Sequence, residues 1–315
     1  MRRAMQALGV SIVMAGPAEA QDASFSVGPA ETIDPGLLDC GKGSRVSAVG
    51  RVTAEDGTEW VVPPQTSFET ADHAADLFNE CGGDELSGLA ELDLASVPVA
   101  DAGGSEEFTA YIFADNYFEL HVNGVLVAVD PVPFTKFNSN VVRFTADRPV
   151  TLAVMVVDWE ENLGLGSEAN RGKAFHPGDG GFVAQIRDVD GNVVAITDGS
   201  WKAQTFYTSP LNDQACLVID GVVRDSSACS TDGRDDADGL SAAHWPVPEG
   251  WETPGYDASG WPDALTFANE TVGVDNKRAF TNFVEVFDTE GADADFIWSS
   301  NLVLDNLVLL RSLID

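Results

Sequence analysis

The chain has 315 residues, of which 51 are Asp or Glu and 17 are Lys or Arg, for a formal net charge of −34. Such a surface repels phosphate, so nucleic acid and anionic membranes are poor partners. The same charge keeps a protein hydrated in a salty medium, and the length suits one large β domain or two smaller ones.

Residues 1–20 read as a secretory signal. Arg2 and Arg3 precede the apolar run 8–14, and Ala18-Glu19-Ala20 fits the small-x-small cleavage rule. That run is too short to span a bilayer, and no later run is long enough. The expectation is a secreted or periplasmic protein with no membrane span. Its four cysteines, Cys40, Cys81, Cys216 and Cys229, then suggest disulfides. Of three possible connectivities, neighbour pairing (Cys40–Cys81 and Cys216–Cys229) is favoured.

Helical periodicity is scarce. Residues 70–81 are the best candidate for a short helix, since Ala71, Ala74, Ala75, Leu77 and Phe78 fall on one face ahead of Gly82-Gly83. Elsewhere short β-rich runs alternate with Gly, Asp, Asn and Pro turns, which predicts an all-β sandwich. Strand candidates are 45–53, 59–62, 108–114, 117–122, 125–129, 141–145, 150–158, 181–188, 192–197, 215–219, 281–287 and 296–299. Phe118, Leu120 and Val122 alternate with Glu119 and His121, and Asn123-Gly124 is the dipeptide of a two-residue type I′ hairpin. Residues 151–157 are nearly all apolar, as in a central strand covered on both faces. The acidic, Ala- and Gly-rich stretch 84–105 suggests a boundary near residue 105, with 21–105 as an N-terminal segment and 106–315 as the sandwich. The tail 296–314 fits a closing strand better than a helix.

Four segments, in order, resemble the galactose-binding-like jelly roll that accompanies bacterial glycoside hydrolases. ADNYFELHVNG (114–124) is similar to the family's "adnyyelyvNG". VMVVDWEENLGLG (154–166) is a buried strand running into a loop. GGFVAQIRDVDGNVVAITDGSWK (180–202) is similar to its hairpin followed by "tD-x-sWk". YDASGWPDA (256–264) is similar to its "fDDSsWp-A". Asp198 and Ser200 can brace the turn before Trp201, and Asp257 and Ser259 the turn before Trp261. The resemblance covers about half the chain, 108–267. It implies a jelly-roll β-sandwich with long loops and a ligand site in loops at one end. It transfers no specific binding residue. Neither flank is long enough for a glycosidase barrel.

Sugar rings stack on aromatics while polar side chains bond the hydroxyls. Trp159, beside Asp158, Glu160, Glu161 and Asn162 at a strand end, has that combination; read blandly, these residues are a loop anchor and a solvated loop. Trp245 and Trp251 flank a Pro-rich loop and offer a second platform. His73, His121, His176 and His244 are the candidates for a copper or other transition-metal site, since imidazole suits copper. No two of them are spaced as a local pair. Acidic loops raise the question of a structural calcium ion. Neither 231–239 nor 188–192 matches a DxDxDG loop, because Arg234 and Ile186 fall at the first ligand position. No GxSxG, HExxH or P-loop is present. The sequence therefore points to an exported, non-catalytic protein that binds a glycan or cell-surface partner, with calcium as a possible structural ion. The alternatives are a secreted metal-binding protein and a hydrolase without a linear motif.

Overall fold

The computed structural model describes residues 22–169 and 172–315, so the secretory-signal reading of 1–20 lies outside the described residues. The N-terminal segment supplies β1 (Ser24–Val27), β2 (Glu31–Asp34), β3 (Val49–Thr53), β4 (Glu59–Val62), β5 (Ala75–Asn79) and β6 (Val99–Asp101). The central run is β7 (Glu106–Asp115), β8 (Tyr117–Val122), β9 (Val125–Val129), β10 (Asn138–Ala146), β11 (Val150–Val157), β12 (Gly181–Asp188), β13 (Val193–Ile196) and β14 (Lys202–Leu211). Then come β15 (Val218–Asp220), β16 (Val223–Asp225), β17 (Ser241–His244), β18 (Leu265–Phe267), β19 (Phe296–Trp298) and β20 (Asp305–Ile314). Three one-turn helices, α1 (Asn269–Val272), α2 (Arg278–Thr281) and α3 (Val284–Phe287), lie between β18 and β19.

These strands build an all-β sandwich. One sheet has the order β1-β17-β14-β20-β11-β8-β9; the other runs β18-β19-β12-β7-β10-β5, with β13 on β12 and β6 on β10. From β7 onward the chain passes repeatedly between the sheets. The segment before residue 105 adds edge strands to both, β1 to the first and β5 and β6 to the second. Strands β2, β3 and β4 form a small sheet of their own.

Period-two alternation decides what each strand buries. Leu152, Val154 and Val156 of β11 join the core between the sheets, with Phe108, Phe113, Phe118, Phe144, Phe182, Trp201 and Trp298. Ala153, Met155 and Val157 face the other way, into a second apolar cluster with Tyr117, Trp159, Phe206, Trp245 and Leu307. The expectation of a central strand covered on both faces therefore holds, and β20 behaves likewise. Each large side chain so buried contributes about 1.5–3 kcal/mol. The Asn123-Gly124 hairpin is also as expected: Val122 pairs with Val125, and both turn residues have positive φ, 51° and 85°. Both disulfides join neighbours, Cys40 to Cys81 and Cys216 to Cys229.

Three elements differ from expectation: 215–219 opens as a 3₁₀ turn (Gln214–Cys216) and becomes strand only at β15, and two others differ more. Residues 70–81 hold strand β5, which pairs with β10, instead of a short helix. Leu77 and Phe78 are fully buried there, and that burial outweighs the weak helical preference of a few alanines. Residues 281–287 lie across α2 and α3 instead of a strand. Phe280, Phe283 and Phe287 recur three and four residues apart and all point into the core, a helical spacing that β propensity obscured. The tail forms β19 and β20, and β20 is central to its sheet rather than at an edge.

Candidate functional site

The outer face of the first sheet carries a cleft of about 570 Å³. Its floor crosses five adjacent strands: Glu119 and His121 on β8, Met155 on β11, Leu307 on β20, Phe206 and Tyr207 on β14, and His244 on β17. Four interstrand steps span about 19 Å. One wall is Trp60, Val61, Pro64 and Gln65, from β4 and the loop after it; the other is Trp245, Val247, Trp251 and Glu252.

A bulge makes this floor possible. Thr205 of β14 pairs with Val308, but Tyr207 pairs with the next residue along, Leu307, so Phe206 is an extra residue. The insertion turns two consecutive aromatics, Phe206 and Tyr207, toward one face, which strict alternation forbids. Tyr207 then lies opposite His244 on β17, and their rings stack at 4.9 Å. Trp60 also stacks on His244, at 5.4 Å and 11°. The Trp60 indole N–H donates to Ser24 on β1 (2.9 Å), which ties the small sheet to the sandwich edge. On the far side, Arg311 of β20 donates to the carbonyls of Trp251 and Thr253, holding that loop against the sheet. The Trp251 ring meets His121 edge-on at 5.5 Å.

The polar groups of the cleft are arranged unequally. Glu119 is buried and accepts from the Ser67 amide (2.5 Å), the Ser67 hydroxyl (3.2 Å) and the Tyr117 hydroxyl (3.0 Å). Burial raises its pKa, and those bonds partly offset the shift. His244 shares a hydrogen bond with Ser26 (2.8 Å), and burial pushes its pKa down to about 3, so the ring is neutral. Burial also lowers His121, with Glu252 pulling the other way. His121 Nδ1 and the Trp245 indole nitrogen are buried without a hydrogen-bond partner.

Of the residues singled out in the sequence, Trp245, Trp251, His121 and His244 thus share one cleft. Trp159 and its neighbours do not line it. Trp159 is fully buried, its indole N–H donates to the Ala48 carbonyl (3.1 Å), and Tyr117 packs edge-on against it. No ring face is left for a sugar, and Trp159 is a core anchor. Asp158 and Glu160 are buried rather than solvated. Glu161 accepts from the Ala169 amide, and Asn162 donates to the Ala174 carbonyl, so the loop is bonded to itself. His73 bonds the Phe68 carbonyl (2.9 Å), and His176 pairs through its backbone with Glu168.

Asp115, Asp158 and Glu160 form an acidic cluster at one end of the sandwich, with Glu168 and Asp179 close by. Burial, and then the neighbouring carboxylates, push all three well above the usual range. One oxygen each of Asp158 and Glu160 lacks a partner. Among the described residues, however, no group of three or more His, Cys, Asp and Glu is placed to hold a metal ion. No helix among the described residues is long and apolar enough to cross a membrane, and the two disulfides fit an oxidising compartment.

Sequence reasoning missed Trp60, Gln65, Glu119, Tyr207 and Glu252 as cleft residues. The adjacent aromatics Phe206 and Tyr207 gave no decisive sign, since Tyr117 and Phe118 are also adjacent and simply face opposite sides of β8. Compared with protein-family models, curated proteins and solved structures, the chain matches none.

Proposed function

We propose that this is an exported, non-catalytic, galactose-binding-like protein that holds an extended glycan in the cleft across the first sheet. The observation that carries the reading is the cleft itself: aromatic rings alternate with carboxylate, amide and imidazole groups along about 19 Å of sheet. Its volume lies in the usual range of about 300–1,000 Å³ for ligand sites. The family resemblance is supported by the four sequence segments and by a chain that passes repeatedly between facing antiparallel sheets, as a jelly roll requires.

The hydrolase reading is weaker. Glu119 is the buried carboxylate of the cleft, and both its oxygens already accept hydrogen bonds. A general acid or base needs an oxygen free to meet the substrate.

A glycan array probed with the full exported chain and with Trp60→Ala tests the proposal. Trp60 is half-buried, so its loss removes a stacking face without opening the core. Selective binding that Trp60→Ala abolishes is expected. An array without hits, or hits indifferent to Trp60→Ala and Gln65→Ala, would exclude the cleft as a glycan site.

A further inference from the structure

Behind Trp245, on the side away from the cleft floor, lies a second cavity of about 220 Å³. Arg224 of β16 lines it and is 92% buried, being 8% exposed. Its guanidinium is clamped between two rings, 4.3 Å from the Phe206 centroid and 4.5 Å from that of Trp245. Only one hydrogen bond engages it among the described residues, from Nη1 to the Thr205 carbonyl (2.6 Å). In a chain with three acidic residues for each basic one, a buried arginine with no carboxylate partner among the described residues is conspicuous. Burial pushes it down to about 9, so it remains charged at neutral pH.

Other features suit an anion. The Tyr256 hydroxyl, on the same cavity, is buried without a hydrogen bond of ordinary geometry, although the Trp261 indole lies beside it. The only carboxylate on the lining is Glu249, which is exposed. The hairpin bearing Arg224 is closed off by the Cys216–Cys229 disulfide and bonded through the Val222 carbonyl to Gln204. Phe206 and Val247 line both this cavity and the cleft, so the two adjoin, and a ligand lying in the cleft can extend a group to Arg224.

We propose that the Arg224 cavity binds the carboxylate of a uronic-acid residue, with the guanidinium as the charged fork and the Tyr256 hydroxyl as a further donor. The sugar assignment rests on the glycan reading of the cleft; the carboxylate assignment rests on Arg224 alone. A planar fork held between two rings is preorganised for such a bidentate contact.

Calorimetric titration of the full exported chain with D-glucuronate, D-glucose and acetate tests this. Glucuronate should bind at least tenfold more tightly than either glucose or acetate. Arg224→Gln should weaken glucuronate at least tenfold, and Arg224→Lys and Tyr256→Phe less, with the melting temperature confirming that each variant is folded. Glucuronate that fails to bind, or whose affinity survives both Arg224→Lys and Tyr256→Phe, would overturn the inference. Acetate binding as tightly as glucuronate would overturn the sugar assignment. Neutral glycans that bind through Trp60 while glucuronate does not would sink this inference and leave the cleft reading standing. Glucuronate held through Arg224 with no Trp60-dependent glycan would support the inference and sink that reading.

Discussion

Replacing Asp305 with alanine should unfold much of what shapes the cleft floor. Asp305 opens β20 and is fully buried. One carboxylate oxygen accepts from the Thr208 hydroxyl of β14 (2.7 Å) and the Ser226 hydroxyl (2.8 Å). The other accepts from the hydroxyls of Ser299 (2.8 Å) and Ser300 (3.1 Å) and the amide of Asn301 (3.1 Å). Hydrogen bonds to a charged acceptor contribute about 1.5–3 kcal/mol each, so five set a ceiling of roughly 7–15 kcal/mol. Removing the carboxylate also relieves its desolvation, worth several kcal/mol, and hydroxyls can turn to new acceptors, leaving a net loss of about 4 kcal/mol. Asp305→Asn keeps the acceptor for Thr208 and Ser226 but turns an NH₂ toward the Asn301 amide, and should cost about 1–3 kcal/mol. Urea unfolding followed by tryptophan fluorescence reads both, with the midpoint moving and the slope constant. A loss below about 1 kcal/mol for Asp305→Ala would refute the view that this carboxylate ties β14 to β20.

The acidic cluster predicts a pH dependence. Asp115, Asp158 and Glu160 have folded pKa values raised above their unfolded ones, so the folded state holds protons that the unfolded chain has released. Their contribution is fully present below the ordinary carboxylate range and is lost as pH rises through the raised values; Asp158→Asn with Glu160→Gln should flatten that decline in melting temperature, and an unchanged slope would count against it. Gly180→Ala places a methyl 2.5 Å from the buried Trp298 ring, and should cost about 1–3 kcal/mol in denaturant unfolding. Reduction of the Cys216–Cys229 bond, which spans 13 residues, should cost about 3 kcal/mol, measured as a shift in urea midpoint on mutating both cysteines to alanine.

Strand alternation and turn chemistry made much of the sandwich legible. The β8–β9 hairpin and the doubly covered β11 were readable because each depends on local pattern, whereas the neighbour pairing of the cysteines was the favoured one of three connectivities. Of the elements that misled, 70–81 is one where pairing with a distant strand overrides local preference, whereas at 281–287 the helical spacing of Phe280, Phe283 and Phe287 was present but masked by their β propensity. The site was legible only in part. Trp245, Trp251, His121 and His244 stood out as residue types, but nothing local says that β8 and β17 lie on one sheet face four strands apart. Trp159 misled for the same reason: a tryptophan flanked by carboxylates looks solvated, yet Ala48 and Tyr117 cover it. Arg224 carried no sequence signal, since what distinguishes it is its clamping between Phe206 and Trp245, which are distant in the chain.

The central claim is that the cleft grips an extended chain of sugars, and calorimetry on a ladder of oligosaccharides from the best array hit tests it most directly. Affinity should climb with each added unit until the five-strand floor is filled, then level off, and Trp60→Ala should flatten the climb. A monosaccharide bound as tightly as the longest oligomer, or a ladder unaffected by Trp60→Ala, would contradict it.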